Sequence, residues 1–249
     1  MVLYLVAVLA GFLAGLVNVV SGGGSMISMP ALIYGLGLSS VDANATNRLA
    51  IVLQNVVAVW RFRTLGLGEW RSGVLLGLAA CPGAVLGAIA AARMDEADFR
   101  VVMGCVFLLI LVSMFWTPES WVRTTRPARP ALLLAAFFLL GFYGGFIQAG
   151  IGVLILIALV QLGGRDLVSG NAVKVIAVFV YSIPAFLAFV AEGRIRFVPG
   201  LALSIGHMAG AWVGATLSVR KGERFIRWVT AAVVLASAAD LLGVRRWIG

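Results

Sequence analysis

The chain has 249 residues, of which 62% are hydrophobic and 12% charged, with a formal net charge of +9 and a mean hydropathy of +1.06. Soluble domains run at about 45–50% apolar and about 25% charged, so this chain has too little polar material to cover a water-facing surface. A soluble enzyme, a disordered chain and a disulfide-rich secreted module are excluded, and an all-α polytopic membrane protein is the class that remains.

Ten apolar segments follow one another at 2–21, 25–38, 44–62, 71–92, 99–117, 130–148, 151–163, 170–191, 198–218 and 225–243. A helix needs about 20 residues to cross a hydrocarbon core of about 30 Å. Segments 25–38 and 151–163 are too short for that, so eight to ten spans are expected. The first segment has no Lys or Arg before it, the first basic residue being Arg48. It therefore reads as part of the membrane domain rather than as a cleaved signal peptide. Gly11-x-x-x-Gly15 within it is expected to pack against another helix. The run Ser21-Gly22-Gly23-Gly24-Ser25 then breaks the helix. Glycines let backbone approach a ligand closely, and a helix restarting after such a break points N–H groups at the gap.

The third segment opens with Asn44, Asn47 and Arg48, and these share a helical face with Ile51 and Asn55. An amide stripe gains nothing from lipid, so it is expected to face a polar cavity. Arg48 then either contacts a ligand or snorkels to the headgroups. Cys81 and Cys105 lie in apolar runs and form neither a disulfide framework nor a metal site. No metal and no cofactor is expected. A basic, proline-containing stretch at 118–129, with Arg123, Arg126 and Arg129, separates the two halves, 1–117 and 130–249. Gln148, Gly150 and Gly152 form the second break, and Asn171, Lys174 and Ser182 the second polar face. His207 is the only histidine. It is a candidate proton carrier, with a neutral, hydrogen-bonded packing role as the plainer reading.

The halves repeat. A shift of 127 places Asn44-Ala45 on Asn171-Ala172, Gly66 on Gly193, Gly83 and Gly87 on Gly210 and Gly214, and Arg93 on Arg220. A shift of 128 places Ser21-Gly22-Gly23-Gly24 on Ala149-Gly150-Ile151-Gly152, and one of 130 places Gly11 and Gly15 on Gly141 and Gly145. Paired short, glycine-interrupted segments in two halves are the sequence sign of a secondary transporter, with inverted repeats when each half holds an odd number of crossings. Basic residues are scattered in ones and twos rather than gathered on one face. They fit the positive-inside rule and not nucleic-acid binding. They favour the loops after segments three, five, seven and nine as cytoplasmic. No Gly-x4-Gly-Lys-Ser/Thr is present, so the chain carries no ATP-hydrolysing loop of its own.

Gly11-x-x-x-Gly15, Ser21-Gly22-Gly23-Gly24-Ser25-x4-Pro30-Ala31-Leu32, Gly37-Leu38 and Asp42-Ala43-Asn44-Ala45-Thr46-Asn47 together resemble the opening of the TauE/SafE family. This family is also called the sulfite exporter or toluene sulfonate uptake permease family. The weaker second copy and the basic linker agree, although Val153 to Leu159 holds no proline where the first copy has Pro30. The resemblance implies a multi-pass carrier in a bacterial inner membrane for sulfite or a small organosulfonate. The substrate-contacting residues would be Ser21, Gly22, Gly23, Gly24, Ser25, Asn44, Asn47, Arg48, Gln148, Gly150, Gly152, Asn171 and Lys174. A channel, a permease for another small anion and a non-transporting membrane scaffold stay open as alternatives. The partners expected are the anion and the lipid bilayer, and the oligomeric state, monomer or homodimer, is left open.

Overall fold

The computed structural model describes residues 2–115 and 129–241. The 118–128 part of the interrepeat linker lies outside the described residues. Nine helices are described: α1 (Val2–Val20), α2 (Ser25–Pro30), α3 (Ser40–Thr64), α4 (Trp70–Arg93), α5 (Glu96–Phe115), α6 (Pro130–Phe146), α7 (Ile151–Gln161), α8 (Leu167–Ala191) and α9 (Phe197–Leu241). After Pro30, α2 widens into a π-helical turn, Ala31–Gly35. A left-handed Gly222 breaks α9 internally. Stretches of α1, α4, α8 and α9 are long and apolar enough to cross a membrane. At 25 residues α3 is about 37 Å long. What lowers its hydropathy is the polar stripe, and that stripe is buried.

Ion pairs and caps fix the direction of the helices. Arg196, just past α8, bonds Asp42 Oδ2 at 2.9 Å and, through its backbone N–H, Thr46 Oγ1 at 3.0 Å, both at the start of α3. Arg165, just before α8, pairs with Glu69 beyond the end of α3 and bonds Ser72 at 3.0 Å. So α3 and α8 run antiparallel with their ends level. The end holding the start of α3 is termed the first face and the opposite end the second face. Glu96 closes the N-terminus of α3, accepting from Ser40 N at 2.7 Å and Val41 N at 3.2 Å. Asp166 closes that of α8, accepting from Val168 N and Ser169 N, both at 2.9 Å. Partial burial raises the carboxyl pKa of Asp166, but these hydrogen bonds and one from the Ser169 hydroxyl outweigh it and hold it below the usual aspartate value.

The two short segments are hairpin returns, which settles them on the non-crossing side of the eight to ten spans expected. Arg129 N, before α6, donates to Leu162 O, after α7, at 2.7 Å, so the chain comes back to the face it entered from. α2 likewise doubles back along α1: a Cβ on Gly24 would strike the Ala14 backbone, and Leu32 shares a cluster with Leu203, which Gly11 touches.

Small residues decide which helices pair. A Cβ on Gly11, Gly15, Gly206 or Gly210 would collide with backbone across the α1–α9 contact. At the α4–α6 contact the same holds for Gly83, Gly87, Gly141 and Gly145. Helices that lipid cannot drive together by the hydrophobic effect associate by this close backbone packing. Gly15 meets His207 while Gly11 meets Gly206, so α1 runs parallel to α9; Gly83 meets Phe138 while Gly87 meets Phe142, so α4 runs parallel to α6. Two bundles result, α1–α3–α9 and α4–α6–α8, meeting along α3 and α8. Each bundle borrows its third helix from the other half of the sequence.

Candidate functional site

The two breaks meet at the boundary between the bundles. Gly22 adopts φ 87° and Gly150 φ 68°, a left-handed conformation that costs other residues roughly 1–2 kcal/mol. The backbones of Gly22 and Gly152 touch so closely that a Cβ on either would occupy the other's backbone. All of Ser21, Gly22, Gly23, Gly24, Ser25, Gln148, Gly150 and Gly152 are buried. Ser21 Oγ donates to Val17 O at 3.0 Å, a carbonyl that the backbone N–H of Ser21 also reaches, at 2.8 Å.

Arg48 and Lys174 do not snorkel; their relative exposures are 0% and 2%. Each reaches across to the other bundle and holds the end of a broken helix. Arg48, on α3, donates to Gly144 O, to Gly145 O at 2.6 Å and to Gln148 Oε1 at 2.7 Å, at the C-terminus of α6. Asn44 completes that end, donating to Phe146 O at 2.8 Å. Lys174, on α8, donates to Val19 O at 2.9 Å and Asn18 O at 3.4 Å, at the C-terminus of α1. A cation at a helix C-terminus satisfies orphan carbonyls and opposes the negative dipole end. Among the described residues neither forms an ion pair, so the two basic side chains at the centre of the protein have only neutral partners. The side chain of Arg48 also lies over the Phe189 ring, 5.5 Å from its centroid.

The amides divide in role. Asn47 donates to Ser25 Oγ at 3.1 Å and accepts from Ser28 Oγ at 2.8 Å, pinning α2 to α3. Asn171 donates to Ser218 at 3.3 Å, joining α8 to α9. Gln148 spans from Arg48 to Ser182 Oγ, the latter at 3.4 Å. Among the described residues these buried side-chain atoms have no hydrogen-bond partner: Asn44 Oδ1, Arg48 Nε, Asn55 Nδ2, Asn171 Oδ1, Tyr181 OH and His207 Nε2, with Arg165 Nε apart from them in the turn before α8. Buried polar groups in native proteins are overwhelmingly hydrogen-bonded, so orphans gathered on α3, α8 and α9 mark a place built for something polar. Tyr181 and Gln54 are functional candidates that sequence reasoning passed over. The repeat held the signal, since the shift of 127 places Gln54 on Tyr181.

His207 is fully buried, with Nδ1 2.9 Å from Gln54 Oε1. Its backbone abuts Gly15, so it lies in the α1–α3–α9 bundle rather than at the cations. His207→Gln is expected to keep most transport activity and most of its pH dependence. Loss of proton-coupled flux in a normally folded variant, measured in vesicles with an imposed pH gradient, identifies His207 as the proton carrier instead.

The sequence matches known proteins over nearly its whole length. The family described as Sulfite exporter TauE/SafE matches residues 7–241. The chain belongs to the TauE/SafE family. It is 26% identical over 249 residues to a probable membrane transporter protein, ORF9, of Sinorhizobium, covering 96% of this chain and 94% of that one. A probable membrane transporter protein of Haemophilus influenzae is 27% identical over 243 residues, covering 95% and 93%. The probable membrane transporter protein YfcA of Escherichia coli is 26% identical over 258 residues, covering 100% and 93%. No solved structure matches the chain. It is thus a TauE/SafE-family membrane transporter.

Proposed function

We propose that this protein is a secondary carrier for sulfite or a small organosulfonate in a bacterial inner membrane. One observation carries the reading: Arg48 and Lys174 are buried beside the crossed breaks with no carboxylate partner among the described residues. Ionisable groups at such depth mark substrate or ion pathways, and an unneutralised pair of positive charges attracts an anion. The anion loses hydration worth several kcal/mol on entering, and hydrogen bonds from charged groups return about 1.5–3 kcal/mol each. Arg48, Lys174, Gln148, Asn44, Asn47, Asn171, Ser21, Ser25 and the glycines of the two breaks would line the site. The Ser21 and Ser25 hydroxyls bond Val17 O and Asn47 rather than Lys174, so no nucleophile–base pair forms here, and transport without chemistry is the reading.

Residues 1–117 and 130–249 would be inverted repeats, a reading supported by the antiparallel α3 and α8. Described basic residues on the second face (Arg61, Arg63, Arg71, Arg129, Arg165, Arg220, Lys221, Arg224) outnumber those on the first (Arg93, Arg100, Arg194, Arg196), which favours the second face as cytoplasmic. Lys174 and Arg48 are buried and count towards neither face. An inside-negative potential then favours anion export, by about 2.3 kcal/mol per charge per 100 mV.

The test is flux in proteoliposomes with sulfite, thiosulfate, sulfate, sulfoacetate and acetate. Saturable sulfite or sulfoacetate flux, with little acetate flux, is expected. Flux linear in concentration identifies a channel, saturable flux of acetate alone a different permease, and no flux with any of the five a scaffold; each overturns the carrier reading.

A further inference from the structure

Between the bundles, α3 and α8 each present one cation and, further along, one buried polar side chain with an unpartnered atom. Arg48 and Asn55 are on α3; Lys174 and Tyr181 are on α8. The helices are antiparallel, equal in length at 25 residues, and level at their ends. Depths therefore follow from a rise of about 1.5 Å per residue. Counted from each helix centre, the backbone of Arg48 lies about 6 Å towards the first face and that of Tyr181 about 3 Å the same way. Asn55 lies about 4 Å, and Lys174 about 7 Å, towards the second face. The four thus sort into two sets, Arg48 with Tyr181 and Lys174 with Asn55, one on each side of the midplane.

The first set converges on one residue. Arg48 donates to Gly144 O, and the Tyr181 hydroxyl lies against the same Gly144, 2.8 Å from where its Cβ would be. In both sets donor capacity is left over. Among the described residues Arg48 Nε–H, the Tyr181 hydroxyl and Asn55 Nδ2 have no hydrogen-bond partner. Lys174 has three N–H donors, and two carbonyls receive them. Tyr181 is 0% and Asn55 2% exposed, so bulk water does not satisfy them.

We propose that the anion binds at two stations in series: Arg48 with Tyr181 on the first-face side, and Lys174 with Asn55 on the second-face side. Tyr181 and Asn55 are the specificity-determining donors, each giving one hydrogen bond to an oxygen of the anion while the neighbouring cation supplies charge. The ligand is a small oxyanion with at least two oxygens on one centre, the chemistry shared by sulfite and by a sulfonate headgroup. This rests on the anion-carrier reading above. Two stations also let the anion leave one cation as it meets the next, so that neither holds it too tightly for release.

The experiment measures KM and maximal rate for sulfite and for methanesulfonate in proteoliposomes of a single protein orientation, with substrate presented to each face in turn. Tyr181→Phe is expected to raise KM about tenfold from the first face, the loss of one hydrogen bond to a charged ligand, and to change it less than twofold from the second. Asn55→Leu is expected to do the reverse. Neither is expected to lower the Tm of the substrate-free protein, because neither group has a partner to lose. Equal shifts from both faces, no shift from either, or a fall in Tm overturns the proposal while wild-type flux stands. A wild-type protein without saturable flux of either anion overturns the carrier reading and this inference with it. Effects confined to sulfite indicate a bare oxyanion as substrate; effects on both indicate that a sulfonate headgroup is recognised too.

Discussion

Gly22→Ala is expected to abolish transport and to leave little folded protein, whereas Gly66→Ala is expected to do neither. Both glycines are left-handed, with φ 87° and 79°, so both substitutions incur the same backbone penalty of roughly 1–2 kcal/mol. They differ in what surrounds them. Gly66 has nothing within 4 Å of a Cβ, while a Cβ on Gly22 would overlap the Gly152 backbone. Backbone cannot rotate away as a flexible side chain does, so the two breaks must separate. Their separation would carry Asn18 and Val19 away from Lys174, and Gln148 away from Arg48. Gly152→Ala is expected to fail like Gly22→Ala, because the contact is mutual. The measurement is the monodisperse fraction on size-exclusion chromatography, followed by flux. A Gly22→Ala protein that folds and transports like wild type means that the crossing of the breaks is not part of the working site.

Part of this is legible in the sequence. The glycine runs mark places where the chain can turn, and Gly22 and Gly150 adopt backbone conformations that other residues avoid. The polar face of α3 was legible from its spacing, because burying Asn44, Asn47 and Arg48 together has a fixed helical period. The close-packed glycines were legible as small-residue patterns, but not their partners. Nothing in Gly15 announces that it lies against His207, since helix pairing is set by three-dimensional fit along the whole element. The hairpin return of the short segments was hidden too, because hydropathy measures the length of a run and not its direction.

The cations are more instructive. Ligand contact and snorkelling were the options the sequence offered; burial excludes snorkelling, and Arg48 and Lys174 have a further role that neither option named, binding helix ends in the opposite bundle. That role needs orphan carbonyls at the ends of α1 and α6, which exist only because the glycines stop those helices inside the protein. Break and cation are therefore one device: the break exposes carbonyls, and the cation from the other bundle satisfies them. Tyr181 was missed because Val178-Phe179-Val180-Tyr181 reads as core filling, although its repeat partner Gln54 is polar.

The device makes the paired cations the most sensitive side chains in the protein. Arg48→Gln is expected to weaken anion binding by at least about tenfold, the loss of one or more charged hydrogen bonds, and to weaken it more than Lys174→Gln does. Arg48 makes three hydrogen bonds and Lys174 two. A planar guanidinium fork holds two carbonyls and an amide at once, with Nε–H to spare, whereas an ammonium is a point charge. Arg48→Lys should therefore restore only part of the loss. Each carbonyl left without a donor costs about 1–3 kcal/mol, so the neutral variants should also unfold at lower temperature, Arg48→Gln the lower of the two. Apparent affinity in proteoliposomes, with folded fraction and Tm measured on the same preparations, separates the effects. If both neutral variants lose Tm yet bind and transport like wild type, the cations are helix caps and nothing more. The anion would then be held by Asn44, Asn47, Asn171 and backbone amides, and the positive charge at the centre would serve assembly of the two bundles rather than recognition.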